Sequence, residues 1–226
     1  MKIHSTSMIR WSLRILGLLI LGTTLAYLAI FEFPYIGRDR TMPVRLNQEQ
    51  LQQGDIVFRN GNSFMSERIV YLSPERVRLS HTGIIIKEGS KLFVIHIVGD
   101  HFANYVRKEP LDSFVSNGLA DHFCVTRYNA SREVRNDIAA TALKYYQEKR
   151  GFDYDMTLES EKDLFCTELV WRAILDATGR DVSPEKVPWR GTILIGFKPF
   201  FRAPNFEPVY MERNCPVFET SAVSIP

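Results

Sequence analysis

Asp163-Leu164-Phe165-Cys166-Thr167-Glu168-Leu169-Val170-Trp171 is the stretch on which the reading of this chain turns. Phe165, Leu169, Val170, Ala173, Ile174 and Ala177 recur at helical spacing, and Gly179 follows as a stop signal. The pattern predicts a buried helix whose N-cap is Asp163, because a helix leaves its first N–H groups without partners and a carboxylate can accept from them. Cys166 then falls in the first turn, at the positive end of the helix dipole, where thiolate is favoured over thiol. Thiolate is the nucleophile. A plain packing role competes with that reading, since cysteine is among the most buried residue types.

The 226 residues are 45% hydrophobic and 24% charged, which suits one globular domain with a sizeable core and an extension. The formal charge of +2 is local. Lys2, Arg10 and Arg14 are the only charges before Glu32, so three of the 28 basic residues sit there and 25 remain against 26 acidic ones. That balance leaves no domain-wide basic field and excludes nucleic acid as the expected partner.

Ile15 to Phe31 is a run of seventeen residues without a charge. As a helix it reaches about 25 Å, and Trp11 and Phe33 extend it towards the interfaces. A cleavable signal needs small residues at its cut site, but Tyr27 and Leu28 interrupt the pattern at Ala26-Tyr27-Leu28-Ala29, and no cysteine follows for a lipid anchor. The expectation is an uncleaved signal anchor: one transmembrane helix within residues 1–33, a linker over 34–50 and a catalytic domain over 51–226. With the basic flank inside, that domain lies outside the cytoplasm, on the inner (cell) membrane and periplasmic in a Gram-negative cell. Three cysteines in an oxidising space leave at least one thiol unpaired; Cys124 and Cys215 can bridge, or all three can be reduced.

Along the chain, Gly54-Asp55 introduces a short strand at Ile56-Val57-Phe58. Ser63 caps a helix carrying Phe64, Met65, Ile69 and Leu72, ended by Pro74. A short helix is expected over Leu111–Val115, a strand over His122–Tyr128, and a longer helix over Glu133–Lys149 that Gly151 ends. After Gly179 the chain reads as proline-rich and irregular. Strands with antiparallel connections flanked by helices predict an α+β fold, a small antiparallel sheet packed against helices.

Two β-rich runs, Thr82–Lys87 and Leu92–Val98, flank Glu88-Gly89-Ser90 and form the clearest hairpin. With Glu88-Gly89 as a two-residue loop, His81 lies opposite His96. With Gly89-Ser90 as the loop, His96 pairs with Gly83, and His81 and His96 become diagonal neighbours on one face. A three-residue loop separates them unless a bulge restores the phase. Each histidine alone reads as a satisfied core or surface residue. Together with a helix-start cysteine they supply what thiol catalysis needs: a nucleophile, a base, and a polar group that fixes the base's tautomer. In that scheme Cys166 attacks a carbonyl carbon, His81 takes and returns the proton, His96 orients His81, and the Cys166 N–H is a natural oxyanion donor.

Leu51-Gln52-Gln53-Gly54-Asp55-Ile56-Val57-Phe58, Ser80-His81-Thr82-Gly83-Ile84, and Tyr154-Asp155 ahead of Phe165-Cys166-Thr167-Glu168-Leu169-Val170 together resemble the circularly permuted papain-like amidases of the NlpC superfamily, the YaeF/YiiX-like group. The resemblance covers roughly residues 48 to 178 and keeps that group's order of histidine before cysteine. It implies a permuted papain-like fold, with Cys166 as nucleophile, His81 as base, and Tyr154 in an oxyanion or positioning role. It places His96 where many relatives carry an acidic residue, a substitution similar to the lecithin:retinol acyltransferase relatives. The substrate implied is a cell-wall peptide or a lipid, cleaved or transferred through a thioester, with no cofactor.

A metal site built from His81, His96, Asp100 and His101 has suitable ligand types for zinc, but no H-E-x-x-H or cysteine-pair spacing supports it. No Cys-x-x-Cys, phosphate-loop or dinucleotide fingerprint occurs. The serious rival is a membrane-tethered module that binds cell-wall peptide or lipid on the same fold without cleaving it. On sequence grounds, alkylation separates the two: a catalytic Cys166 reacts with iodoacetamide well below pH 8, and a buried structural thiol does not.

Overall fold

In the computed structural model, residues 4–27, 46–99, 104–116 and 118–219 are described. The chain divides into two compact units, residues 1–38 and 39–226. In the first, α1 spans His4–Tyr27, and its residues from Arg10 onward are exposed. Among the described residues, no helix is long and apolar enough to cross a membrane. The expected transmembrane helix is thus unsupported among these residues. Arg10 and Arg14 lie inside α1, so its uncharged part is Ile15–Tyr27. That is about 20 Å of helix against a hydrocarbon core of about 30 Å. The remainder of the apolar run and linker positions 34–45 lie outside the described residues.

The second unit is organised by a six-stranded sheet. In chain order its first members are β1 (Ile56–Gly61), β2 (His81–Glu88), β3 (Lys91–His96), β4 (Arg107–Pro110) and β5 (Ala120–Tyr128). Short pairs follow, β6 (Gly151–Phe152) with β7 (Asp163–Leu164) and β8 (Val187–Trp189) with β9 (Thr192–Leu194). The last strand, β10 (Phe206–Met211), returns to the main sheet, whose order is β10-β5-β1-β2-β3-β4 with every neighbouring pair antiparallel. The sheet is therefore larger than the small one expected. Two strands enlarge it, and both are weak in β character: β4 reads Arg-Lys-Glu-Pro, and β10 contains Pro208 on an edge, where a missing N–H is tolerated.

Besides α1, the helices are α2 (Phe64–Leu72), α3 (Leu111–Phe114), α4 (Arg132–Gln147) and α5 (Cys166–Thr178). Ser63 caps α2 by accepting from the Ser66 N–H, as its position predicts, and Ser131 does the same for α4 through Val134. Alternation splits the sheet's side chains between two cores. Ile56, Phe58, Ile84, Ile86 and Ile95 pack with α4 and α5 on one face. Val57, Ile85, Val94, Phe123 and Val125 pack with Leu111 and Phe114 of α3 on the other. β2 is buried along His81–Ile86 because both faces are covered.

The β2–β3 register decides the site. Glu88 pairs with Lys91 and Gly83 with His96, so Gly89-Ser90 is the two-residue loop, and Gly89 takes the positive φ of +60° that such a turn requires. At Gly83 the requirement is space. A Cβ there would stand 2.5 Å from Val94 Cγ1, 2.7 Å from the Ile95 carbonyl oxygen and 2.9 Å from His96 Cβ. Backbone cannot yield as a side-chain tip can. Gly83→Ala is expected to cost about 1–3 kcal/mol, read as a lower urea midpoint, and to displace the His96 imidazole resonances in NMR.

Candidate active site

The helix that carries the cysteine starts later than its sequence suggests. Asp163 is not the cap, because the Asp163-Leu164 backbone runs parallel to Gly151-Phe152 as the β6–β7 pair. Phe165 is the extended N-cap residue, and Cys166 is the first residue of α5. The side chain that helps the start of the helix is Glu168, whose carboxylate accepts from the Phe165 N–H at 3.4 Å and pairs with Arg172 at 2.8 Å. Thr167 Oγ1 donates to the Ile195 carbonyl at 2.6 Å, which fixes the first turn from the other side. The expected stop is observed: Gly179 caps α5 with φ +68°.

α5 packs on β2, and its first residue lies against that strand's beginning. The backbone N–H groups of Thr167, Thr82 and Cys166 lie near the Cys166 sulfur and favour its thiolate. Thr82 follows His81 directly, so the sulfur stands one peptide from the histidine. The residue is partly exposed, but its sulfur is enclosed enough for burial to push the thiol up to about 11, against the pull of those N–H groups and of Arg59. This reverses the expected thiolate. Desolvation outweighs the helix terminus.

On the opposite core face the two imidazoles meet. His81 Nε2 lies 2.9 Å from His96 Nδ1, with the rings nearly perpendicular. Phe114 closes over both, 5.4 Å from the His81 ring and 5.2 Å from the His96 ring. Arg59 lies 4.3 Å above the same Phe114 ring and donates to its carbonyl at 2.6 Å. On β4, Glu109 brings Oε2 to 3.1 Å from His96 Nε2, a close contact that lies off the best hydrogen-bond geometry.

This chain of contacts sets the protons. Burial pushes the Glu109 carboxyl up, but His96, Arg59 and Arg107 together hold it below the usual carboxylate range. A carboxylate beside Nε2 favours the proton there, which leaves Nδ1 of neutral His96 as acceptor. His81 Nε2 is then the donor, and the free lone pair of His81 is on Nδ1. Burial, followed by Arg59, His96 and Arg107, holds His81 well below the ordinary imidazole value. His96 is lowered too, mainly by burial, with Glu109 opposing. At neutral pH the site therefore holds a thiol and two neutral imidazoles. It can accept a proton at His81 and spread the resulting charge towards Glu109.

The structure brings His81 and His96 into contact and sets the Cys166 sulfur against the backbone of Thr82, the next residue of β2. Tyr154 stands apart from them in its described contacts: it is 62% exposed and packs edge-on to Phe152 at 5.0 Å. Asp100 and His101 lie outside the described residues, and among those described no group of three or more His, Cys, Asp or Glu could hold a metal ion. Cys124 and Cys215 are free thiols, and Cys215 donates to the Phe123 carbonyl at 3.3 Å. Glu109, Arg59, Arg107 and Phe114 escaped the sequence reading. The only signal for Glu109 is its alternation with Arg107, and that speaks only once β4 is known to pair with β3.

A cysteine at the start of a helix packed on an antiparallel sheet that carries a histidine is the papain-like arrangement, and here the histidine precedes the cysteine, which is the permuted order. The chain belongs to the family of permuted papain-like amidase enzymes, YaeF/YiiX, C92 family, whose pattern matches residues 50–187. It is similar in fold to YiiX of Escherichia coli O157:H7, a protein described as a metalloprotein. That likeness has 24% identity and a TM-score of 0.59, and covers 72% of this chain and 98% of that one. No curated protein matches.

Two shifts with one cause can be measured. Alkylation of Cys166 by iodoacetamide should keep rising through pH 8–10 towards its midpoint near 11. Arg59→Gln should move that curve to higher pH, because the nearby cation favours thiolate. The same substitution should raise the His81 titration seen by NMR, because that cation disfavours imidazolium.

Proposed function

We propose that the protein is a thiol hydrolase or acyl transferase that opens an amide or ester through a thioester on Cys166. His81 Nδ1 takes the thiol proton as the sulfur bonds to the carbonyl carbon, and the carbonyl oxygen becomes an oxyanion that the Cys166 N–H can meet. Protonated His81 then gives its proton to the leaving nitrogen or oxygen as that bond breaks. Water, or a second acceptor, attacks the thioester with His81 again as base and returns the sulfur. His96 holds the His81 tautomer, Glu109 balances charge on the pair, and Tyr154 on its exposed loop positions substrate. Family membership supports a cysteine hydrolase. The observation that carries these assignments is the 2.9 Å His81–His96 contact beside a strand residue whose N–H reaches the sulfur.

The substrate in this proposal is a cell-wall peptide or a membrane lipid. The apolar run Ile15–Phe31 supports a membrane location with the domain outside the cytoplasm. A non-catalytic peptide- or lipid-binding module is the second reading, favoured by one observation, the thiol's raised pKa.

Incubation with muropeptides or phospholipids, followed by intact mass, should show an acyl adduct on Cys166. Cys166→Ala and His81→Ala should each lower turnover by about a thousandfold or more, with the thermal midpoint retained. His96→Ala should cost roughly ten- to hundredfold. Turnover surviving in Cys166→Ala would end the proposal, and stoichiometric binding without an adduct would favour the module.

A further inference from the structure

Helix α2 leaves most of its apolar side chains exposed. A nine-residue helix on a globular surface normally buries its apolar stripe, yet none of its residues is buried. Phe64, Met65, Ile69, Tyr71 and Leu72 are all exposed, Met65 by 54% and Tyr71 by 79%. The side facing the domain carries Ser66, whose Oγ lies against Gly61 and bonds to Ser63, and the half-buried Val70. Helical spacing puts Phe64, Met65, Arg68, Ile69 and Leu72 on one outward stripe, with Tyr71 at its margin.

The charges around that stripe favour one occupant. Arg68 lies on it, 5.7 Å from the Phe64 ring, and Arg76 and Arg78 are exposed just beyond its C-terminal end. Glu75 accepts from the N–H groups of Phe197 and Lys198, so its charge is held by the domain. Arg78 reaches Asp121 only at 3.9 Å with both side chains largely exposed. Glu67 is the one acidic side chain on the helix. An apolar face with a basic rim is the pattern of a helix lying in the headgroup region of an anionic bilayer.

We infer that α2 is an interfacial membrane-docking helix, its Phe64–Leu72 face entering a lipid surface and Arg68, Arg76 and Arg78 meeting anionic headgroups. Its place in the chain gives the docking a purpose. α2 directly follows β1, whose Arg59 pairs in register with His81, so the docked face belongs to the end of the sheet that holds the imidazoles. This inference stands apart from the chemistry proposed for Cys166, and its test reads no turnover.

Hydrogen–deuterium exchange on the full chain, followed on peptides covering residues 64–72, provides the test. Mixed phosphatidylglycerol–phosphatidylcholine vesicles should slow exchange there by on the order of tenfold, and pure phosphatidylcholine should slow it less. Met65→Glu combined with Ile69→Glu should abolish the protection; both sites are exposed, so the thermal midpoint should hold, and α1 is left intact. Cys166→Ala should leave the protection unchanged. Three results would overturn the inference: protection that survives the double substitution, protection that rises with protein concentration without lipid (a second copy), or protection already complete without lipid (cover by the chain's own residues 28–45).

Discussion

The pairing of Gly83 with His96 is the constraint on which the rest of the site depends. A slip of one residue along β3 would carry every side chain of that strand to the opposite face. His96 would then enter the core shared with α4 and α5, and His81 would lose its partner. Two features hold the register: a two-residue loop that admits no other pairing, and a position without a side chain where the strands come closest. The hairpin is thus a positioning device for two rings. Buried isoleucines at 84, 85, 86 and 95 surround it and make any slip costly.

Opposing electrostatic effects leave the site uncharged at its centre. Burial disfavours both imidazolium and thiolate, and Arg59 and Arg107 add to the first effect while Arg59 eases the second. Glu109 works against the arginines, but through His96 and at one remove. The result differs from a preformed ion pair. In the proposed chemistry, charge would appear only as a proton moves from sulfur to imidazole.

Cys166, His81 and His96 could be singled out in the sequence because they lie on elements with strong patterns. Cys166 opens an amphipathic helix, and His81 and His96 lie on a hairpin whose loop leaves few registers. The cap was misassigned because parallel pairing of Asp163-Leu164 with Gly151-Phe152 is a tertiary event that Asp163 does not advertise. Glu109 was hidden for a similar reason, since a strand of Arg-Lys-Glu-Pro has no apolar alternation and owes its existence to the edge it joins. β10 was hidden by Pro208 and Glu207. The thiol's protonation was misjudged because a helix terminus can be read from sequence, whereas desolvation depends on what closes around the sulfur. α2 shows the converse: its boundaries were right, but the apolar residues that marked it as helix face outward.

A sulfur that keeps its proton at neutral pH has a chemical consequence beyond turnover. Peroxide and other oxidants attack the thiolate, and a first oxidation to sulfenic acid opens the way to irreversible products. Enclosure of Cys166, by keeping the sulfur protonated, therefore also shields the side chain from oxidative damage.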